Sequence, residues 1–307
     1  MSRGHRLAGL IAVLASVGTI VVAQEPIFRG GTDTVLLSVT VNSPSNRPTP
    51  TLGKQDFQVF EDGTAQEVSI FSHTPQPIAL SILLDSSTSM EDKLPVAQEA
   101  AIGFARSLGK NDVAQIVEFN NDTRIRQTFT HDADALERAI RQIHTGGSTS
   151  LNNAIYIALT ELGRIRAEAP DEIRRQAIVV LSDGEDTTSL VSYDQLIDLS
   201  KRSAVSIYTI GLREKRTNLP AHYSDADFVL RTLSQATGGR VFFVDDVKQL
   251  SVIYGQIADE LANQYTLGYS SKNVKRDGAW RSIAVRVNHP DTSARTRSGY
   301  FGPSKGH

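Results

Sequence analysis

Hydrophobic positions along the chain change pattern twice. Residues 34–41 (TVLLSVTV) form a β-rich run, and residues 42–50 read as a loop of Pro, Ser and Asn. Residues 57–60 and 68–71 carry alternating apolar positions on either side of the acidic-glycine turn Glu61-Asp62-Gly63, which predicts a hairpin. Past Pro75 and Pro77 the character shifts: strand-like apolar runs at 78–84, 113–119, 177–181, 205–210 and 240–244 alternate with amphipathic stretches of helical length, such as 94–108 and 134–144. Strands covered on both faces read as near-continuous apolar runs. The alternation therefore predicts an α/β domain with a doubly wound, mostly parallel sheet. From residue 263 the β character returns, at 264–269, 280–287 and near 295–300, without helical period.

These shifts predict residues 76–262 as the α/β domain, flanked by β segments at 33–75 and 263–302. Neither β segment has enough strands to bury a face by itself. The two are expected to pair as one small β-sandwich-like module, with the α/β domain inserted between them. Residues 1–23 begin with Arg3 and Arg6 and continue as an uncharged apolar run ending in small residues at Val21 and Ala23. That is the pattern of a signal peptide cut after Ala23, and an uncleaved membrane anchor is the competing reading.

Charge and composition narrow the classes. With 32 Lys and Arg against 34 Asp and Glu the net charge is −2, which offers no bulk attraction to nucleic acid or an anionic membrane surface. A membrane enters only through an uncleaved N-terminus. The chain has no cysteine, which excludes disulfides, thiol catalysis and Cys-ligated zinc. Export without cysteine points to a bacterial periplasm or cell exterior, and any metal must be held by oxygen or histidine.

The candidate chemistry sits where strands end. The run 78–84 leads directly into Asp85-Ser86-Ser87-Thr88-Ser89, and residues just past a strand's carboxyl end line the crevice of an open α/β sheet. Asp85, Ser87 and Ser89 can turn three hard oxygens toward one centre, a donor set for Mg²⁺ or Mn²⁺. Two further loops add Thr149, in a glycine-rich turn ahead of the helical run 151–164, and Asp183, which follows the run 177–181 on the same sheet edge as Asp85.

Asp85-x-Ser87-x-Ser89, a Gly-Gly-x-Thr turn at Thr149 and Ser-Asp183-Gly after a buried strand together resemble the metal-ion-dependent adhesion site of von Willebrand factor type A domains. A wider likeness, carried by Asp56-Phe57, Glu61-Asp62-Gly63, Tyr265-x-x-Gly-Tyr269 and Ser298-Gly-Tyr300, is to exported bacterial proteins described as VWFA-related, known from acidobacteria. The resemblance implies that Ser87 and Ser89 ligate the cation directly, that Thr149 does so in some states, and that Asp85 and Asp183 act through waters. The turn has one residue more than the usual Gly-Gly-Thr, so Ser148 and Thr149 compete for one position. Two residues before Leu151 is the family's usual place, which selects Thr149.

A cation held this way has few direct anionic ligands and seeks a carboxylate from a partner's Glu or Asp. The implied function is a non-enzymatic adhesion or binding module. One alternative is a structural envelope protein whose metal site is empty. Another is a Mg²⁺-dependent phosphohydrolase with Asp85 as nucleophile, but Ser87 stands where such enzymes place a second Asp. Glu185, Asp186, Asp245 and Asp246 read as solvated loop residues. Trp280, Tyr265 and Tyr269 read as packing residues, and Arg213, Lys215 and Arg216 as a basic loop on the metal side.

Overall fold

Strands and helices alternate between Ile78 and Ala262, and outside that stretch the longer elements are all strands. The computed structural model describes residues 34–42, 51–168, 174–183, 185–213 and 225–304. The expected signal peptide with its cut after Ala23 lies outside the described residues, as do Lys215 and Arg216. Among the described residues no helix is long and apolar enough to cross a membrane.

The N-terminal strands are β1 (Thr34–Asn42), β2 (Phe57–Glu61), β3 (Thr64–Gln66) and β4 (Val68–Ser72). The α/β body follows with β5 (Ile78–Asp85), α1 (Leu94–Arg106), β6 (Val113–Phe119), β7 (Thr123–Thr130), α2 (Ala133–Arg141), α3 (Leu151–Glu168), β8 (Arg175–Ser182), α4 (Tyr193–Arg202), β9 (Ser206–Leu212), α5 (Asp225–Thr237), β10 (Val241–Val244) and α6 (Leu250–Ala262). The chain closes with β11 (Tyr265–Ser270), β12 (Trp280–Val287), β13 (Ser293–Arg295) and β14 (Gly299–Phe301).

The body is a six-stranded sheet in the order β10-β9-β8-β5-β6-β7, parallel except for the antiparallel edge strand β7. All eight residues of β5 are buried, because helices cover both faces. Alternate β5 side chains enter different cores. Leu80, Ile82 and Leu84 pack with α1, α2 and α6, while Ala79 and Leu83 pack with α3, α4 and α5. This is the doubly wound α/β class that the alternation of runs predicts.

The flanking segments form two four-stranded sheets, β13-β1-β11-β4 and β14-β12-β2-β3, each mixing strands from both ends of the chain. Val35, Leu37 and Val39 of β1, Phe57 and Val59 of β2, Leu267 and Tyr269 of β11 and Ile283 of β12 share one buried cluster between them. The predicted hairpin is wrong in its second strand. The turn has Asp62 at φ 47° and Gly63 at φ 78°, the doubly left-handed geometry that suits Asp-Gly, but it joins β2 to the short β3. After Glu67 the chain changes sheets, and β4 pairs with β11 instead.

Module and body meet below the amino ends of the parallel strands. Arg175, the first residue of β8, is buried and donates to the carbonyl of Leu261 at 3.1 Å and that of Gln264 at 2.7 Å, so its guanidinium holds the end of α6 to the start of β11. Burial brings its pKa down to about 10. Arg202 of α4 also lies over the Phe301 ring, and Arg295 pairs with Glu260 near the end of α6.

Candidate metal centre

β5 and β8 are parallel neighbours whose connections leave in opposite directions, toward β6 and toward β9. The crevice at the carboxyl ends of such a pair is the switch point where α/β sheets bind ligands. Asp85 is the last residue of β5 and Ser182 the last of β8, so the strand register sets them side by side. Asp85 is fully buried; its Oδ1 accepts the Ser87 backbone N–H at 2.8 Å and its Oδ2 accepts the Ser182 hydroxyl at 2.5 Å. Desolvation raises its pKa above the ordinary carboxylate value, opposed by the bonds from Ser182 and Ser87 and reinforced by the charge of Asp183.

The Ser87 and Ser89 hydroxyl oxygens lie 3.1 Å apart, and the Ser89 hydroxyl donates to Asp183 Oδ1 at 2.7 Å. The other Asp183 oxygen accepts from the Lys93 ammonium. A row of oxygens thus runs from Ser87 through Ser89 to Asp183. Mg²⁺ with bonds of about 2.0–2.1 Å sets neighbouring octahedral ligands about 2.9 Å apart. The 3.1 Å spacing of the two hydroxyls is close to that edge, so Ser87 and Ser89 can stand as neighbouring ligands of a small hard cation, with Asp183 hydrogen-bonded behind Ser89. Among the described residues, no three His, Cys, Asp or Glu side chains gather as a metal cluster. Of the five candidate residues, Ser87, Ser89 and Thr149 offer neutral hydroxyls and Asp85 and Asp183 carboxylates.

Thr149 is placed by backbone stitching. Gly146 donates to the Ser86 carbonyl at 2.8 Å, Thr88 donates to that of Gly147 at 3.0 Å, and Thr187 and Thr188 donate to that of Thr149 at 2.9 and 3.2 Å. The turn is clamped between the loops after β5 and β8. Gly147, at φ 81°, takes a left-handed conformation, and a Cβ there would strike the Asn121 amide. Thr149 is buried, whereas Ser148 is exposed and gives its N–H to Asn121. Asp85, Ser87, Ser89 and Asp183 are thus joined by hydrogen bonds, and Thr149 shares none with them.

Sequence reasoning passed over Ser182 and Lys93. Ser182 stands directly before Asp183 and holds the free side of the Asp85 carboxylate. Lys93 carries a signal that could have exposed it, since it occupies the N-cap of α1, where an acidic or hydroxyl side chain is favoured and a cation is not. Asp186 is taken up by Asn152 and Ser189, and Arg213 pairs with Asp227 and lies over Phe243. Beneath the site, the Ser86 hydroxyl donates to buried Glu118 at 3.1 Å, and Arg126 pairs with the same carboxylate.

Residues 80–256 match the model of the von Willebrand factor type A domain. The chain is 30% identical over 226 residues to an uncharacterised protein of Borreliella burgdorferi, a match spanning 68% of this chain and 62% of that protein. It is 23% identical over 299 residues to a UPF0353 protein of Mycolicibacterium gilvum, covering 88% and 86% of the two. The solved structure of von Willebrand factor type A from Catenulispora acidiphila aligns with a TM-score of 0.51 at 16% identity, over 90% of this chain and 64% of that one. At that identity the likeness is one of fold alone.

Proposed function

The chain belongs to the von Willebrand factor type A domain family, and on that premise we propose that it is an exported, non-enzymatic module that captures a protein partner through a divalent cation at the β5/β8 switch point. Domains of this family are generally interaction modules, and they often hold a divalent metal. The observation that carries the reading is the contiguous row Ser87, Ser89 and Asp183, beside buried Asp85, at the carboxyl ends of two parallel strands.

Ser87 and Ser89 would hold Mg²⁺ or Mn²⁺ directly, with Thr149 as a further hydroxyl ligand. Asp85 and Asp183 would supply negative charge from behind. When bound, the cation supplies an electrophilic position that a Glu or Asp carboxylate of the partner fills. Ser182 and the Ser87 N–H fix the Asp85 carboxylate in one orientation. The same bonds disfavour a phosphohydrolase, since both Asp85 oxygens are engaged and the side chain has no exposed face to attack with. The structural alternative draws support from one observation, the Lys93 ion pair on Asp183.

Immobilised protein exposed to bacterial envelope extract is expected to retain a partner in Mg²⁺ and release it in EDTA, and Asp183→Ala is expected to retain none. Retention of the same proteins in both buffers would sink the metal-bridged reading.

A further inference from the structure

Lys93 is out of place by the rules of helix ends. At the N-cap of α1 it makes no side-chain cap bond, and its charge opposes the helix dipole. Its ammonium turns instead to the candidate metal centre and pairs with Asp183 Oδ2, while Ser89 takes Oδ1. The Asp183 side chain is 1% exposed and that of Lys93 is 22% exposed. The anion is therefore sealed in, whereas the cation has a route to water.

No other basic side chain touches either site carboxylate among the described residues, since Arg126 is committed to Glu118 and Asp85 is held by neutral donors. Lys93 supplies the positive charge that the site needs when no metal is bound. A divalent ion ligated by Ser89 beside Asp183 would face the ammonium at close range, and the two cations would repel.

We propose that Lys93 is an internal competitor for the metal site. It neutralises Asp183 in the metal-free protein and must swing out to solvent before a divalent cation can load. The ion pair thereby raises the metal concentration at which the partner-binding form appears, and it keeps the loops after β5 and β8 tied together until then. The inference rests on the metal-site reading given above and adds to it what holds the site when the metal is away.

Calorimetric Mg²⁺ titration of four full-length chains tests it: wild type, Lys93→Met, Lys93→Arg and, as a charge control on the same rim, Arg124→Gln. Lys93→Met keeps the aliphatic stem and removes the charge. It is expected to tighten Mg²⁺ binding about tenfold, equivalent to about 1.4 kcal/mol. Its metal-free melting temperature is expected to fall by about 2–4 °C, because Asp183 is left without its counter-charge. Lys93→Arg and Arg124→Gln are expected to stay within about twofold of wild type, the size of a screened surface effect.

A second readout needs no variant. In wild type carrying ¹³C-methylated lysines, the Lys93 signal is expected to move toward that of a free surface lysine as Mg²⁺ is added. Equal or weaker Mg²⁺ binding by Lys93→Met, or a Lys93 signal that stays put while metal binds, overturns the competition and leaves the metal site standing. Tightening by Arg124→Gln equal to that by Lys93→Met overturns it too, because the effect is then general charge. Binding by Lys93→Met alone supports it in its extreme form. No uptake by any of the four chains overturns both the competition and the site.

Discussion

Asp85→Asn is expected to lower affinity for Mg²⁺ or Mn²⁺ by at least about a hundredfold, equivalent to about 2.7 kcal/mol, in a calorimetric titration. The substitution preserves shape while removing the charge nearest the Ser87 loop. Asparagine can accept from only one of the two donors that now converge on Asp85, the Ser87 N–H and the Ser182 hydroxyl. With the amide oxygen turned to the Ser87 N–H, the NH₂ meets the Ser182 hydroxyl, which can accept from it, so the loop keeps its anchor and the loss falls on the charge. The metal-free fold should tolerate the change. Asp85 is fully buried and its carboxyl is pushed up by desolvation, so removing the charge removes an unfavourable burial that offsets much of the lost hydrogen bonding. A melting temperature near that of wild type with metal binding gone is the expected pair of results. Unchanged affinity would show that the cation, if bound, sits elsewhere.

The second large effect lies in the β module. Glu61, at the end of β2, is 2% exposed and accepts hydroxyl bonds from Tyr269 at 2.9 Å, Ser271 at 2.6 Å and Tyr300 at 3.0 Å. Arg281, equally buried, lies 3.6 Å from the same carboxylate. Tyr269 belongs to the sheet of β1 and β11, whereas Glu61, Arg281 and Tyr300 belong to that of β2 and β12. One carboxylate therefore bolts the two sheets together. Glu61→Ala leaves a buried guanidinium without its counter-charge and three hydroxyls without their acceptor. Breaking a buried pair from one side costs about 3–5 kcal/mol, and chemical denaturation is expected to show a loss of that size. Hydrogen exchange should show the β1 amides losing protection before those of β5. A loss below about 1 kcal/mol would mean that packing of Leu37, Val59 and Leu267 carries the module without the polar bolt.

What the sequence revealed and what it hid divide along physical lines. The α/β body was legible because β5 is buried on both faces and reads as an unbroken apolar run. Asp85 and Asp183 were legible because each directly follows such a run. β7 escaped notice: its sequence, TRIRQTFT, belongs to a half-exposed edge strand with charged residues at two positions. β3 is three residues long and polar, so the pattern of the turn passed over it and assigned β4 as the hairpin partner. The change of sheet at Glu67 leaves no mark in periodicity, because β4 alternates equally well against β11. Lys93 was hidden because ion pairing across about ninety residues has no local signature, and only its misfit at a helix start hinted at it. The Glu61–Arg281 contact joins the two ends of the chain and could be found only once the strands were placed.

The central claim is that Ser87 and Ser89 hold a divalent cation at the β5/β8 switch point. Anomalous diffraction from crystals of the protein soaked in Mn²⁺ tests it most directly, because the manganese signal locates the ion without reference to affinity or partner. The expected result is one strong peak within bonding distance of the Ser87 and Ser89 hydroxyl oxygens, with the Lys93 ammonium withdrawn from Asp183. A map with no peak at that position, or with its strongest peak among other residues, would contradict the account.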